Sequence, residues 1–359
     1  METLEPAIRQ SPPIDLRIPY DAAWLKGKHI VITGGASGFG RGFVETWAKA
    51  GASIVLGDIN KAAGLEVAAA TRTSSGNDKV HFVECDVRDW DAQVALFKEA
   101  VRLSPHGGID VVVANAGIAV PEPFLRPAGL DGDSPPKPDL RTYDINLTGV
   151  LYTTHLALFW LPRNPGSKPC SLDAKPDTSG TQRDRCLLLL GSIASIYPII
   201  GLPLYATSKH GVLGLFRTLR GCAFAEGIRV NMLNPYFIDT PLLGKDIKTI
   251  IAGGGMGRPE DVIDAGTRLT ADTRILGRAL VVGPKVRVKD GQRGEIVLLP
   301  KGSTEGYETA LWELYADDWY ETEVFSRKMV KLLNAVTVAR GWGGWFYDIC
   351  KTWVPGLSR

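Results

Sequence analysis

Tyr205 and Lys209 place a phenol and an ammonium group four residues apart in the segment YATSK. Residues four apart on a helix lie on the same face. A phenol ordinarily titrates near pH ~10, and a neighbouring ammonium group favours the phenolate form. Tyr205 is therefore predicted to exchange protons with a substrate near neutral pH.

This spacing alone is weak evidence, because Tyr347 and Lys351 repeat it near the end of the chain. The surroundings separate the two pairs. Tyr205 lies thirteen residues after Ser192, in a Gly-Ser-Ile-Ala-Ser loop that follows an apolar run. Thirteen residues before Tyr347 stands Asn334, within a helix-like stretch. The first pair is therefore the candidate for catalysis.

A glycine-rich turn lies near the start of the chain. Gly34, Gly38 and Gly40 follow a β-rich run that ends at Thr33, and they precede a helix-like segment. Such glycines permit a tight turn and let the backbone approach a pyrophosphate at a helix N-terminus. The spacing is looser than the common G-x-G-x-x-G. On this motif alone, a purely structural turn remains an alternative.

Asp58 ends the next β-rich run, eighteen residues after Gly40. A carboxylate there can accept hydrogen bonds from both hydroxyls of an adenosine ribose, and its charge would repel a 2′-phosphate. Neither Ser37 nor Ile59 is basic, although Lys61 is close in sequence. The pattern therefore favours NAD over NADP, with a turn or cap role for Asp58 as the alternative.

Two further motifs follow predicted strands. Cys85–Val87 comes after the third strand, where Asp86 is predicted to face the adenine amino group. Asn115–Gly117 comes after the fourth strand and suits close passage of the backbone beneath a cofactor. Each is also compatible with a simple turn. Their order and their placement at strand ends favour one shared cleft.

The elements that must position these residues alternate between strands and helices. The predicted strands are His29–Thr33, Ser53–Leu56, Val80–Val83, Val111–Ala114, Cys186–Leu190, Arg229–Leu233 and Ala279–Val282. The helix-like segments include Arg41–Ala50, Asp91–Leu103, Leu140–Leu161 and Ser208–Ala225. The strands are apolar without alternation, as expected when both faces are buried. The pattern predicts an α/β fold, a doubly wound parallel sheet with helices on both faces.

The chain is predicted to form one domain, residues 27–285, after an N-terminal arm, residues 1–26. An extension, residues 286–359, is predicted to hold a hairpin at Asp290-Gly291, a helix-like stretch over Thr304–Asn334, and an aromatic tail. Two polar, proline-containing segments are predicted to be surface insertions. They are Pro121–Asp139 and Pro162–Asp184.

Composition excludes several classes of protein. The chain has 359 residues, of which 45% are hydrophobic and 22% charged, with a formal charge of +2. These values are typical of a globular enzyme and not of a disordered chain or a nucleic-acid-binding protein. Five cysteines without a Cys-x-x-Cys pair argue against a disulfide framework and a structural zinc site. No metal is expected, and the N-terminus lacks signal-peptide features, so a cytoplasmic location is predicted.

Three segments of the chain have features that could place them in or on a membrane. The uncharged runs 145–162 and 186–208 are long enough to suggest a spanning helix. Polar residues, glycines and prolines within them favour a buried helix and a buried strand with its loop instead. Peripheral contact through the aromatic tail remains open. Its candidate residues are Trp342, Trp345, Phe346 and Trp353.

Taken together, these motifs resemble the short-chain dehydrogenase/reductases with a Ser-Tyr-Lys active site. The resemblance covers roughly residues 27–285. It rests on TGGASGFG, Asp58, CDV, NAG, the asparagine of DINLTG, the serine of GSIAS, and YATSK, which occur in the family's order. The segment SKHGVLGLFRTLR and the long loop before Asp144 look most like the prostaglandin-dehydrogenase-like subset, whose shape many fungal tailoring enzymes share.

The resemblance implies roles for individual residues. Ser192 would bind the substrate oxygen, Tyr205 would exchange the hydroxyl proton, and Lys209 would lower the tyrosine pKa and bind ribose. Asn146 would hold a water for proton relay. Hydride would pass between the substrate carbon and nicotinamide C4. The implied cofactor contacts are Thr33, Gly34, Ser37, Gly38, Phe39, Gly40, Asp58, Ile59, Asp86, Val87, Asn115, Ala116, Gly117, Tyr205, Lys209, Pro235, Ile238 and Thr240.

One position departs from the family's pattern. Tyr236 follows Pro235 where the family usually has glycine, which puts pocket shape and substrate access in doubt. Apolar residues in the loop after Ser192 and in the segment after Thr240 indicate a lipophilic substrate, such as a polyketide, terpenoid, steroid or fatty-acid derivative. These residues are Ile193, Ile196, Tyr197, Pro198, Ile199, Leu202, Leu242 and Leu243.

Two further expectations concern the oligomeric state and the function. The resemblance implies a homodimer or homotetramer that uses the helices around 140–161 and 208–225. The alternative function is a repurposed scaffold that keeps the fold and cofactor for binding or assembly. Tyr236 and the long extension motivate that alternative, and the intact Asn146, Ser192, Tyr205 and Lys209 argue against it.

Overall fold

The computed structural model describes residues 10–120, 134, 136–222, 226–238, 240, 255–291, 296–300 and 302–314. It also describes short helical pieces between 328 and 343, at 328–329, 331–332, 335–336, 338–339 and 341–343. The chain divides into two compact units, one formed by residues 10–316 and the other by residues 1–9 with 317–359. The candidate site lies within the first unit.

A parallel sheet forms the centre of this unit. Its strands are β1 (His29–Thr33), β2 (Ser53–Asp58), β3 (Val80–Glu84), β4 (Val111–Ala114), β5 (Cys186–Leu190), β6 (Arg229–Pro235) and β7 (Ala279–Asp290). Their spatial order is β3-β2-β1-β4-β5-β6-β7, and each neighbouring pair runs parallel. The order reverses between β1 and β4. A crevice opens at such a switch point, outside the carboxyl ends of the strands.

Helices cover both faces of the sheet. They are α1 (Gly38–Lys49), α2 (Lys61–Ser75), α3 (Trp90–Leu103), α4 (Gly149–Trp160), α5 (Pro203–Cys222) and α6 (Pro259–Ala271). A short helical segment (Arg141–Tyr143) and a π-helical turn (Asp144–Thr148) precede α4. Single 3₁₀ turns lie at Ala22–Leu25, Leu161–Arg163 and Ile193–Ser195. The predicted doubly wound α/β fold is confirmed.

Successive strand residues explain the two layers. Ile30 and Ile32 of β1 pack into a cluster with α1, α2 and α6. Val31, between them, packs into a second cluster with α3, α4 and α5. Because alternate side chains point to opposite faces of a sheet, a strand covered on both faces is expected to be mainly apolar. β1, β4, β5 and β6 are completely buried, and β4 and β5 are apolar throughout.

The sheet continues beyond the parallel strands. β7 runs to Asp290, and β8 (Ile296–Leu298) pairs with it antiparallel, so the hairpin prediction at Asp290-Gly291 is confirmed. β9 (Tyr307–Leu314) also pairs antiparallel with β7. The helix-like interpretation of Thr304–Asn334 is therefore wrong over Tyr307–Leu314. The backbone hydrogen bonds offered by β7 outweigh the helix propensity of alanine, leucine and glutamate in this segment.

The polar segments differ in how much of them is described. Most of Pro121–Asp139 lies outside the described residues. The insertion Pro162–Asp184 is described, and it returns to the sheet at Asp184, which is buried. Among the described residues, no helix is both long and apolar enough to cross a membrane.

Candidate active site

The glycine turn forms a cradle at the carboxyl end of β1. Gly34 has a φ of +67°, which glycine adopts readily. A Cβ on Gly40 would lie 2.1 Å from the Gly34 carbonyl oxygen, so a larger residue there would break the turn. The Asn115 side-chain amide donates to the carbonyl oxygens of Thr33 (2.9 Å) and Gly34 (3.0 Å). Asn115 therefore fixes the turn against the end of β4.

The N-terminus of α1 opens into the same crevice. Ser37 precedes the helix in an extended conformation, and its side chain does not cap the first turn. The N–H groups of that turn are consequently available to an anion, which a helix N-terminus attracts. Gly38 has no atom of the described residues within 4 Å of where its Cβ would stand. These features fit the pyrophosphate of a dinucleotide.

A cleft extends from this turn along the strand ends. The predicted residues that line it are Gly34, Ser37, Gly38, Phe39, Asp58, Ile59, Asp86, Val87, Asn115, Ala116, Gly117 and Thr240. Four residues that the sequence reasoning missed also line it: Cys85, Arg88, Ile118 and Ile145. All four are immediate sequence neighbours of predicted residues, which is the signal that could have found them. Thr33 is buried beneath the cleft and positions the turn.

The Asp58 carboxylate is held at the rim of this cleft. One oxygen accepts a hydrogen bond from the Ala36 N–H (3.0 Å), and the other accepts from the Asn60 N–H (2.9 Å). Lys61, which the sequence left unplaced, forms an ion pair with Glu84 at 3.2 Å. A fixed negative charge therefore stands at the end of β2, and the nearest lysine in sequence is already paired.

Asp86 is paired with an arginine at the cleft. The Arg88 guanidinium donates to both of its carboxylate oxygens, at 2.6–3.0 Å. The hydrogen bonds from Arg88 lower the pKa of Asp86. The carboxylate is thus oriented and partly neutralised before any ligand binds. Its predicted contact with an adenine amino group remains a prediction.

The catalytic candidates meet at the carboxyl end of β5. Ser192 begins the 3₁₀ turn after β5, and its hydroxyl oxygen accepts from the Ala194 N–H at 3.1 Å. The Ser192 N–H in turn donates to the Ser195 hydroxyl oxygen at 3.1 Å. This reciprocal capping fixes the serine. Burial raises the pKa of Tyr205, and a hydrogen bond with Ser192 opposes that rise, so the two side chains are partners.

Lys209 lies one helical turn beyond Tyr205 on α5. Its side chain is only 4% exposed, and its ammonium group donates to the Leu190 carbonyl oxygen at 3.0 Å. Burial lowers the pKa of Lys209 to about 8. The ammonium nitrogen stands 5.9 Å from the centre of the Tyr205 ring. A buried cation next to the phenol favours the phenolate.

Asn146 occupies the π-helical turn that precedes α4. Its side-chain amide donates to the Ile118 carbonyl oxygen and accepts from the Ile118 N–H, both at 2.8 Å. A Cβ on Gly117 would lie 3.2 Å from the Asn146 amide oxygen and 3.7 Å from the Lys209 ammonium nitrogen. The structure therefore brings Asn146 and Lys209 together beside Gly117, at one end of the cofactor cleft.

A second cleft adjoins the first at Phe39 and Thr240, which line both. Its other lining residues are Ala119, Gly191, Ser192, Ile193, Ile199, Leu202, Tyr205, Pro235, Tyr236, Phe237 and Ile238. Of the apolar residues predicted to contact substrate, Ile196 packs into the core instead, and Tyr197 and Pro198 are exposed without lining this cleft. Leu242 and Leu243 lie outside the described residues.

The remaining candidates are outside the site or outside the described residues. Trp342 is 66% exposed, whereas Trp345, Phe346 and Trp353 are not described. The same holds for the second tyrosine–lysine pair, at 347 and 351. In the described part of the chain, no group of three or more His, Cys, Asp or Glu side chains is arranged to hold a metal ion.

The two clefts can support hydride transfer. The first fits a dinucleotide, and the second places an apolar chamber against a serine and a tyrosine, with a buried lysine beside Gly117 of the first cleft. When bound, the nicotinamide supplies or accepts the hydride. The chain contributes a hydroxyl for the substrate oxygen and a phenol that can exchange a proton.

Comparison with known proteins gives the family. Residues 28–167 and 186–250 match the family described as short chain dehydrogenase. The 5′-hydroxyaverantin dehydrogenase of Dothistroma septosporum is 32% identical over 298 residues, covering 77% of this chain and 92% of that protein. The chain belongs to the short-chain dehydrogenases, and the resemblance drawn from its motifs is confirmed.

Two other relatives bear on the subset and the cofactor. The mouse (Mus musculus) 15-hydroxyprostaglandin dehydrogenase [NAD(+)] is 29% identical over 221 residues, which cover 61% of this chain and 70% of that protein. A 3-ketoacyl-(acyl-carrier-protein) reductase from Brucella melitensis, solved with NADH, is 27% identical with a TM-score of 0.57 and covers 72% of this chain and 98% of that one. Other fungal relatives are named NADP-dependent dehydrogenases. These relatives are each named for, or solved with, a nicotinamide dinucleotide.

Proposed function

We propose that this chain is an NAD-using dehydrogenase that interconverts a lipophilic secondary alcohol and its ketone. The observation that carries the proposal is the placement of three side chains: Ser192 and Tyr205 line the second cleft, and Lys209 lies beside Gly117, which lines the first. One cleft fits a dinucleotide, and the other is apolar. The proposed setting is secondary metabolism, and a cytoplasmic homodimer or homotetramer remains our prediction.

Each catalytic side chain has a proposed task. Ser192 donates its hydroxyl proton to a hydrogen bond with the substrate oxygen. The Tyr205 phenolate takes the alcohol proton during oxidation and returns it during reduction. Lys209 stabilises the phenolate and holds the nicotinamide ribose. Asn146, tied to Ile118 on both sides of its amide, holds the end of a proton path to solvent.

The proposed preference for NAD rests on Asp58, at the end of β2. The Asp58 carboxylate is fixed by two backbone N–H groups and can accept from ribose hydroxyls. The same charge disfavours the 2′-phosphate of NADP, and Lys61 is engaged by Glu84. Because relatives of both cofactor types exist, direct titration must decide between NAD and NADP.

The substrate proposal rests on the second cleft and on the relatives. Apart from Ser192, Tyr205, Tyr236 and Thr240, the described residues that line this cleft have apolar side chains or none. Relatives are named for hydroxyaverantin and for a hydroxyprostaglandin, both of which are lipophilic alcohols. A lipophilic polyketide, terpenoid, steroid or fatty-acid derivative suits such a chamber.

Fluorescence titration of the purified protein with NAD and NADP tests the cofactor proposal. NAD should bind more tightly than NADP, and Asp58→Ala should weaken NAD binding by roughly 10- to 100-fold, the value of a charged hydrogen-bond pair. Glu66→Ala, an exposed carboxylate on α2, is the control and should change neither affinity. Tighter NADP binding by the unmodified protein would refute the NAD assignment.

Turnover of lipophilic secondary alcohols tests the catalytic proposal. Tyr205→Phe should lower kcat by roughly 10²- to 10⁴-fold and leave NAD affinity in place. Tyr347→Phe is the matched control, because Tyr347 has a lysine at the same spacing. Full activity of Tyr205→Phe would refute the assignment. NAD binding without turnover of any alcohol or ketone would favour the scaffold alternative.

A further inference from the structure

Aromatic side chains are concentrated around the second cleft. Tyr205 has a proposed catalytic task, but Phe39, Tyr236 and Phe237 also line the chamber. Phe39 comes from the first turn of α1, and the other two follow β6 directly. Two separate elements therefore bring rings to one chamber. Tyr236 is the residue that departs from the family's glycine.

Tyr236 is held in place by two contacts. Its backbone N–H donates to the Val282 carbonyl oxygen at 2.7 Å, so the chain continues to pair with β7 beyond the end of β6. Its ring meets the Phe237 ring edge to face, with centres 4.9 Å apart and planes at 87°. Phe237 is itself tied by the Gly257 N–H, which donates to the Phe237 carbonyl oxygen at 2.9 Å. The two rings form a fixed aromatic corner.

The corner still offers surface to a ligand. Tyr236 is 36% exposed although it lines a cleft. None of the described residues that line this cleft is charged. Apart from the hydroxyls of Ser192, Tyr205, Tyr236 and Thr240, their side chains offer aliphatic and aromatic surface. Aromatic rings gain more from stacked or edge-to-face contact than saturated groups of equal size.

We infer that the substrate of this cleft is a secondary alcohol, or the matching ketone, whose carbon skeleton carries an aromatic ring system seated against Tyr236. The inference rests on the proposed function and narrows its substrate class. Oxidation breaks the carbinol C–H bond, whose hydride passes to the nicotinamide of NAD, and the O–H proton passes to Tyr205. The products are the ketone of the same carbon skeleton and the reduced cofactor.

Matched probes separate ring recognition from general hydrophobicity. 1-(2-Naphthyl)propan-2-ol and 1-(decahydro-2-naphthyl)propan-2-ol share one carbon skeleton, keep the carbinol carbon one methylene away from the ring, and differ in aromaticity. The unmodified enzyme should oxidise the naphthyl probe with a kcat/KM at least roughly three- to tenfold higher, the range expected for one or two aromatic contacts. Equal kcat/KM for the two probes would overturn the inference while leaving the proposed dehydrogenase in place.

Variants locate the preference. Tyr236→Leu should bring the ratio of the two kcat/KM values close to one by slowing the naphthyl probe, and Tyr236→Phe should restore the ratio. Tyr197→Leu is the control, because Tyr197 is exposed in the neighbouring loop and does not line the cleft. An equal loss for both probes in Tyr236→Leu would mean that Tyr236 only shapes the chamber, and would overturn the inference.

Binding keeps the two proposals distinguishable. Calorimetric titration of the NADH-bound Tyr205→Phe variant with 1-(2-naphthyl)propan-2-one and with its decahydro analogue measures the same preference without catalysis. Preferred binding of the naphthyl ketone, lost in Tyr236→Leu, supports the inference even if neither alcohol is oxidised, in which case the proposed function fails alone. Equal affinities for the two ketones overturn the inference whatever the turnover.

Discussion

Buried polar groups are paired differently at the two ends of the parallel strands, which we call the amino edge and the carboxyl edge of the sheet. At the amino edge, where β1, β4, β5 and β6 begin, five charged side chains form what we call the amino-edge ion network. Its members are Lys28, Asp110, Arg183, Asp184 and Arg229. At the carboxyl edge, where the same strands end, Asn146 and Lys209 bond to backbone carbonyl oxygens, and Asn234 has no hydrogen-bond partner among the described residues.

Asp184 is the centre of the amino-edge ion network. It accepts from Lys28 at 2.7 Å and from Arg229 at 2.7 Å. Burial by itself would raise the pKa of this carboxyl, but the attraction of Arg229 and Lys28 holds it well below its usual range. Asp110 similarly accepts from Arg183 at 2.9 Å and from His106 at 2.9 Å. These charges are satisfied within the protein.

The carboxyl edge shows the contrast within a single strand. Asn231 and Asn234 both belong to β6 and are fully buried. The Asn231 amide donates to the carbonyl oxygens of Leu269 and Ile275 and accepts from the Arg278 N–H. Asn234 lies three residues further along β6, and its amide has no hydrogen-bond partner among the described residues. The amino edge pairs its buried charges, and the carboxyl edge leaves one buried amide, Asn234, without a partner among the described residues.

Lys209→Met should show the largest effect. Activity should fall by roughly 10²- to 10⁴-fold, because the phenol loses the cation proposed to stabilise its phenolate. The free energy of unfolding without cofactor should not fall, since a lysine with a pKa of about 8 destabilises the fold below its unfolded pKa. Lys98→Met, exposed on α3, is the control for both measurements. An active, destabilised variant would contradict the comparison.

Asp184→Asn, at the amino edge, should lower the stability of the fold and leave catalysis unchanged. Removal of one partner leaves the buried Lys28 and Arg229 charges uncompensated, which costs about 3–5 kcal/mol of stability. The fraction that remains folded should keep its kcat. Chemical denaturation and assays at low temperature measure the two quantities. Asp173→Asn, exposed in the same insertion, should be neutral, and a similar loss there would remove the special status of Asp184.

His29 makes the amino edge sensitive to acid. Burial lowers the pKa of His29 to about 4, while its ring nitrogens bond Ser53 and the Ala100 carbonyl oxygen. The unfolded histidine binds a proton near pH ~6.5 and the folded one does not, so stability is lost as pH falls from about 6.5 to about 4. The loss should reach about 3 kcal/mol. Denaturation of His29→Gln across this range should show a flatter profile.

Asn234→Leu should have the smallest effect, and its sign is the informative part. Replacing an unpartnered buried amide by an apolar group of similar size should raise the free energy of unfolding by about 1–3 kcal/mol. Asn231→Leu should lower it, because three bonded groups lose their partner. If both substitutions destabilise equally, Asn234 is bonded in solution and the contrast within β6 disappears.

Sequence patterns predicted the strands well where burial dominates. The bounds of β1, β4 and β5 agree with prediction, because an apolar run between turn residues has few other interpretations. β9 was missed because its conformation depends on a partner, β7, that no local window contains. Within the site, motif order placed Asp58, Asn115 and Ser192 at strand ends. The Arg88–Asp86 fork and the unpaired Asn234 depend on side-chain directions and could not be predicted.

The N-terminal segment has a consequence for how the protein is made. Ile14 donates its N–H to the Glu313 carboxylate at 2.8 Å, 299 residues away along the chain, and Ile18 accepts from Arg268. At roughly 5–20 residues per second, a ribosome needs roughly 15–60 s to travel between Ile14 and Glu313. Ile14 lacks its partner for all of that time, and Ile18 lacks Arg268 for most of it. Residues 10–20 thus become protected only after most of the sheet has been made, and a nascent chain stalled before Arg268 leaves them exposed to proteases and chaperones.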